Sequence, residues 1–144
     1  MVHEDTINLL RECNAGIKMG VSSIDEILDE TQSQRLNQIL SSSKSEHGRL
    51  GEETRKLLDN YGEEGKEPNP MAKGMSWIKT NMMMAMDAGD DTIADLLTDG
   101  CNMGVKSLSR YLNKYAAADE QSKDIAKKLI SMEADLAIKL RDYL

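Results

Sequence analysis

The stretch from Asp91 to Tyr115, DTIADLLTDGCNMGVKSLSRYLNKY, constrains the fold more than any other. Its spacing predicts a helix with large apolar residues at both ends, Ile93 and Leu97 on one side and Leu108 and Leu112 on the other. The middle is small: Gly100, Cys101 and Gly104 stand where a packed helix normally shows Leu or Ile. A glycine inside a helix costs about 1 kcal/mol relative to alanine, so two of them require a reason. That reason is either the close approach of a neighbouring helix or room for a bulky or polar group from the opposite side. Either way, the helix must be enclosed by others.

The rest of the 144-residue sequence agrees with an all-α protein. It holds no Phe, one Trp, ten Met and only two Pro, at positions 68 and 70. Helix formers dominate and helix breakers are confined to one place. The length fits one domain, residues 1–144, with a sizeable core. A net charge of −7 argues against a nucleic-acid footprint and against anionic membrane surfaces. The longest apolar run, Met82 to Met86, is too short to span a bilayer. The acidic start Met1-Val-His-Glu-Asp is not the pattern of a signal or transit peptide. Cys13 and Cys101 make neither a zinc spacing nor a CxxC motif, so reduced thiols and a cytoplasmic setting are expected.

In chain order, the first helix is expected from Thr6 to Asp29, capped by Asp5. Its stripe is Ile7, Leu10, Asn14, Ile17, Val21, Ile24 and Leu28, the 3-4 spacing of a bundle helix with Asn14 as its polar member. Thr31 with Gln34 reads as a capping box that starts a second helix at Gln32. That helix should run to Tyr61, with Gly62 as its stop. Ser43, His47 and Thr54 interrupt its apolar stripe. Gly62 to Pro70 is a loop by composition, and Asn69-Pro70 opens a third helix from Met71 to Ala88. Met71, Met75, Ile78, Met82 and Met86 form its apolar face. Asp90, Asp91 or Thr92 caps the glycine-centred helix, which ends near Ala117. Asp119 caps the last helix, whose stripe is Ile125, Leu129, Met132, Leu136, Leu140 and Tyr143.

The lengths decide the topology. Four helices of roughly 36 to 45 Å (1.5 Å per residue) form two antiparallel hairpins. The Met-rich helix and its nine-residue loop lie between them and are long enough to travel most of a bundle. The helices beginning at Gln32 and Asp91 then run parallel. This is the ferritin-like arrangement: a four-helix bundle with a long, partly helical crossover between the second and third bundle helices.

The chain also resembles an uncharacterised family of small bacterial ferritin-like bundle proteins. The resemblance is carried by Leu9-Leu10-Arg-Glu-Cys13-Asn-Ala-Gly16. It is carried further by Met75-Ser-Trp77, Ala88-Gly-Asp90-Asp91, Asp99-Gly100 and Val105-Lys106. It implies the fold and leaves the activity unassigned. A ferritin-like di-iron centre needs a Glu from each of two helices and a Glu-x-x-His pair from each of the others. Here Lys44 stands three residues before His47, and Ile17 and Cys101 stand where the relatives carry glutamates. The resemblance therefore implies that the metal centre is lost and that no cofactor is bound.

The polar members of the stripes, Asn14, Ser43 or His47, Cys101, and Glu133 beside Met132, are expected to share a mid-bundle layer. Histidine nitrogen, thiolate and carboxylate are competent metal ligands, which makes the layer of Asn14, His47, Cys101 and Glu133 an alternative metal or small-ligand site, with His47, Cys101 and Glu133 as its metal ligands. The plainer reading, which is preferred, is a hydrogen-bonded layer that fixes helix register. Cys101 with His47 as nucleophile and base is a further alternative, weakened by the lack of a third, orienting residue. Met83 and Met84 fall off the apolar face of their helix. Beside Trp77 they form an exposed apolar patch of the kind that marks an interface, here between the two chains of a homodimer. The function expected from the whole is a non-catalytic structural, interaction or stress-type protein.

Overall fold

Asp5 and Thr6, the residues expected to open the first helix, lie inside it. The computed structural model describes residues 2–63, 77–85 and 89–144. Within them the chain forms α1 (Val2–Ile27), α2 (Gln34–Asn60), α3 (Trp77–Met84), α4 (Asp90–Lys114) and α5 (Glu120–Leu140), with short 3-10 turns at Leu28–Glu30 and Arg141–Tyr143. No strand occurs among the described residues.

The core divides into two apolar clusters stacked along the helices. One joins Ile24 and Ile27 of α1, Leu36 and Leu40 of α2, Ile78 and Met82 of α3, Ile93 and Leu97 of α4, and Leu136 and Leu140 of α5. The other joins Leu9, Cys13 and Ile17 with Leu50, Leu58, Leu108, Ile125 and Leu129. The end of α1, the start of α2, the start of α4 and the end of α5 thus share one pole. It follows that α2 and α4 run in the same direction, antiparallel to α1 and α5, as the helix lengths predict. Helix α1 packs against all four others. Its buried arc is therefore wider than the expected stripe: Leu9, Cys13 and Ile27 are fully buried, while Ile7, Val21 and Leu28 sit at its edge.

Several helix ends differ from expectation. Thr31 is spent locally, while Asp5, Thr6 and Asp90 are used across the fold. Thr31 does not cap α2; its hydroxyl donates back to the Leu28 carbonyl at 2.9 Å. Ser33 is the N-cap, accepting from Leu36 N. Asp90 does not cap α4, which begins after Gly89 with no side-chain cap. Its carboxylate instead accepts from Gln32 N and Ser33 N, both at 2.8 Å, at the parallel N-terminus of α2. At the other pole, Asp5 accepts from Ala117 N at 3.0 Å and Thr6 Oγ1 accepts from Asp119 N at 2.8 Å. These bonds clasp the α4–α5 turn onto α1. Asp119 caps α5 as expected, accepting from Ser122 N, and Gly62 ends α2 with φ +68°. The third helix is seen from Trp77 to Met84, with Ile78 and Met82 buried as expected. Ala85 is no longer helical, and residues 71–76 and 86–88 of the expected helix, Met71, Met75 and Met86 among them, with most of the expected loop before it, lie outside the described residues.

Replacing Asp90 with alanine removes the carboxylate that accepts from Gln32 N and Ser33 N at a helix end where Ser33 caps only Leu36 N. The expected loss is about 1–2 kcal/mol, read as a lower urea midpoint with unchanged slope. The substitution also unties α4 from the α1–α2 turn.

Candidate functional site

Between the two apolar clusters lies a polar layer centred on His47. The ring is buried, 1% exposed, and both of its nitrogens face acceptors. Nδ1 donates to the Ser43 carbonyl at 2.7 Å, with the Ser43 hydroxyl further off at 3.4 Å. Nε2 donates to Glu133 Oε1 at 2.6 Å across the α2–α5 seam. A neutral imidazole has only one N–H, so two acceptors favour the doubly protonated ring. Burial on its own would lower the pKa of His47. The hydrogen bond and charge of Glu133, then the Ser43 carbonyl and the charge of Glu46, outweigh it and raise the pKa above the usual histidine value. The contact is therefore a buried histidine–carboxylate hydrogen bond, an ion pair whenever the ring is protonated, with Glu133 only 13% exposed.

Two glycines make the space. A Cβ on Gly20 of α1 would stand 3.0 Å from His47 Cδ2 and 3.2 Å from Nε2. A Cβ on Gly104 of α4 would stand 3.6 Å from Glu133 Cγ and Oε2. The small centre of α4 is thus explained: Gly104 admits Glu133, and Gly100 lies under the Trp77 ring, whose Cζ3 would be 3.9 Å from an added Cβ. Cys101, between them, lies beside Glu133. Burial, then the Glu133 charge, pushes its thiol far above the usual range. A protonated thiol is not the nucleophile that the Cys101–His47 alternative requires. Cys13 is also a free, buried thiol, pushed up to about 12 by burial and by Glu12.

The structure brings together Ser43, His47, Cys101 and Glu133. It does not bring Asn14 to them. The α1 residue facing His47 is Gly20, six positions beyond Asn14, or about 9 Å of helix rise. Thr54 is satisfied within its own helix by the Leu50 carbonyl at 2.7 Å. The other histidine, His3, packs edge-on against Tyr61 with ring centroids 4.8 Å apart. Trp77 is 38% exposed, and Met83 and Met84 are 67% and 78% exposed, so all three lie at the surface as expected. Gly20 and its counterpart Gly51, whose Cβ would meet Ile17 at 3.1 Å, were not singled out from the sequence. Like Gly100 and Gly104, each is a glycine inside a long helix opposite a bulky stripe residue, a signal present in the sequence.

The residues do not fit a di-iron centre. Among the described residues no group of three or more His, Cys, Asp or Glu side chains is placed to hold a metal ion. The two nitrogens of His47 are both spent on protein acceptors, and Ile17 packs over Gly51 in the apolar core. No helix among the described residues is long and apolar enough to cross a membrane. No family model, curated protein or solved structure matches this chain.

Proposed function

We propose that the chain is a non-catalytic ferritin-like four-helix bundle that acts as a cytoplasmic structural or interaction protein of the stress type. The observation that carries this reading is the closed hydrogen bonding of His47. With Nδ1 on Ser43 and Nε2 on Glu133, the mid-bundle layer has no ring lone pair to offer a substrate or a metal. The antiparallel hairpins with parallel α2 and α4 support the ferritin-like topology. Trp77, Met83 and Met84, joined by Met103 at 60% exposure one turn from Gly100, support self-association through the α3–α4 face.

The convergence of His47, Cys101 and Glu133 supports one competing reading, a metal or small-ligand site that forms when His47 and Cys101 lose their protons. One experiment separates the two. Protein purified without chelator or affinity tag is analysed for bound metal and weighed by light scattering. Its melting midpoint is then followed with added Fe, Zn or Cu ions. The proposal expects no stoichiometric metal, twice the chain mass and an unmoved midpoint. A midpoint raised by one of these ions in the wild type and not in His47→Leu would establish the competing site.

A further inference from the structure

The outward face of α4 is divided by charge. Asp91, Asp95 and Asp99 stand four residues apart along its first half, and Lys106, Arg110 and Lys114 stand four apart along its second. All six are exposed, opposite the buried face of Ile93, Leu97, Cys101 and Leu108. None of the six makes an ion pair with a described residue. Like charges four apart on a helix repel, and this row sets Asp95 beside both other aspartates and Arg110 beside both lysines. The helix dipole accounts for the ends of the row, Asp91 in the first turn and Lys114 in the last. It does not account for Asp99 and Lys106, which lie more than two turns from either end.

The signs are antisymmetric about one point, between Asn102 and Met103. Asp99 and Lys106 are equidistant from it, as are Asp95 and Arg110, and Asp91 and Lys114. A twofold axis through that point lays a second α4 antiparallel on the first, so that each aspartate faces a basic residue of the other copy. This is the isologous condition, in which residue i meets j and j meets i. A row at four-residue spacing is also the ridge by which two helices most often cross, with axes about 8–10 Å apart. Met103, 60% exposed, lies at the axis, and Trp77 over Gly100 flanks it.

We infer that the chain forms a twofold dimer through this face of α4, with Asp99 against the partner subunit's Lys106 and Asp95 against the partner subunit's Arg110. The inference rests on the self-association reading and supplies its register. The occupant is a second copy because a foreign partner requires no antisymmetry within one row, whereas self-pairing does. The apolar centre at Met103 and Trp77 supplies attraction, and the charges set direction: a parallel pair would place aspartates on aspartates and lysines on lysines.

The test reverses single charges in the full chain. Asp99→Lys and Lys106→Asp each place like charges in contact at two symmetry-related points. Dimer dissociation constants are read by sedimentation of a dilution series at low salt, where surface charges are least screened. Each single variant is expected to weaken the dimer at least about tenfold. Mixed in equal amounts, the two should form a heterodimer of near wild-type affinity, because both contacts are then opposite in sign. The double variant Asp99→Lys/Lys106→Asp should self-associate like the wild type. Both positions are exposed, so the circular dichroism of every variant should match that of the wild type. A monomeric wild type would overturn the self-association reading and this register together. A wild-type dimer unmoved by either single variant would overturn the register alone, as would single variants that fail to recover on mixing.

Discussion

Replacing Glu133 with leucine is expected to destabilise the protein by about 3 kcal/mol, the usual consequence of leaving one partner of a buried ion pair behind. For a chain of this length that is roughly a 10 °C fall in melting midpoint. The loss has a definite physical origin. His47 is buried with its Nε2–H aimed at Glu133, and no other described residue accepts a hydrogen bond from that nitrogen. Removing His47 as well should restore most of the stability, because an apolar pair of similar volume can fill the same seam. The double variant His47→Leu/Glu133→Leu is therefore expected to melt well above Glu133→Leu alone. The pH dependence follows from the raised pKa of His47. A group whose pKa is higher in the folded state contributes fully below its unfolded value, about 6.5, and loses that contribution as pH rises through the folded value. The stability advantage of the wild type over His47→Leu should accordingly shrink above the ordinary histidine range. Chemical denaturation at a series of pH values reads this directly.

The second large effect is expected at Gly20. Valine there places a Cβ about where the His47 ring already lies, 3.0 Å from Cδ2. The ring cannot step aside, because it is held at Nδ1 by Ser43 and at Nε2 by Glu133. Overpacking against a fixed group typically costs 1–3 kcal/mol, and here a value of about 2–3 is expected, despite the gain in helix propensity. Gly104→Ala is the matched control. Its Cβ would meet Glu133 at 3.6 Å, an ordinary contact, so the propensity gain of up to about 1 kcal/mol should appear as stabilisation. Opposite signs for two glycine substitutions in the same layer would be hard to obtain unless His47 were clamped and Glu133 were merely accommodated.

The local signals in the sequence proved the readable ones. The Asp119 cap, the Gly62 stop and the stripe from Ile125 to Leu140 each depend on neighbours a few residues away, and each lies where expected. The parallel course of α2 and α4 followed from helix lengths alone. Thr31 misled because Ser33, two residues on, takes the N-cap of α2 while the Thr31 hydroxyl turns back to Leu28. Asp90 misled because its carboxylate serves Gln32 N and Ser33 N, 58 and 57 residues away, and no local pattern encodes that choice. Asp5 is similar, reaching the turn at Ala117 instead of its own helix end. Of the polar residues expected to share one layer, the structure brings His47, Cys101 and Glu133 together and leaves Asn14 apart. A shared stripe on one helix does not fix height along the bundle, and Asn14 lies too far down α1. Glu133 was in fact legible as a stripe member, since it falls four residues after Leu129 and three before Leu136. Taking Met132 for the stripe put it to one side. The Met-rich patch could be assigned to the surface from spacing, but what it meets could not, because an interface has no periodicity of its own.

The proposed function rests on both ring nitrogens of His47 being held by acceptors, Nδ1 by the Ser43 carbonyl and Nε2 by Glu133. Ring ¹⁵N chemical shifts of His47, followed across pH, test it most directly. The account predicts two protonated ring nitrogens at neutral pH, a hydrogen-bonded Nε2–H proton protected from solvent, and a titration midpoint above that of an ordinary histidine. A neutral ring at pH 7 with a free Nε2 lone pair, above all one whose shift moves on adding zinc, would contradict it.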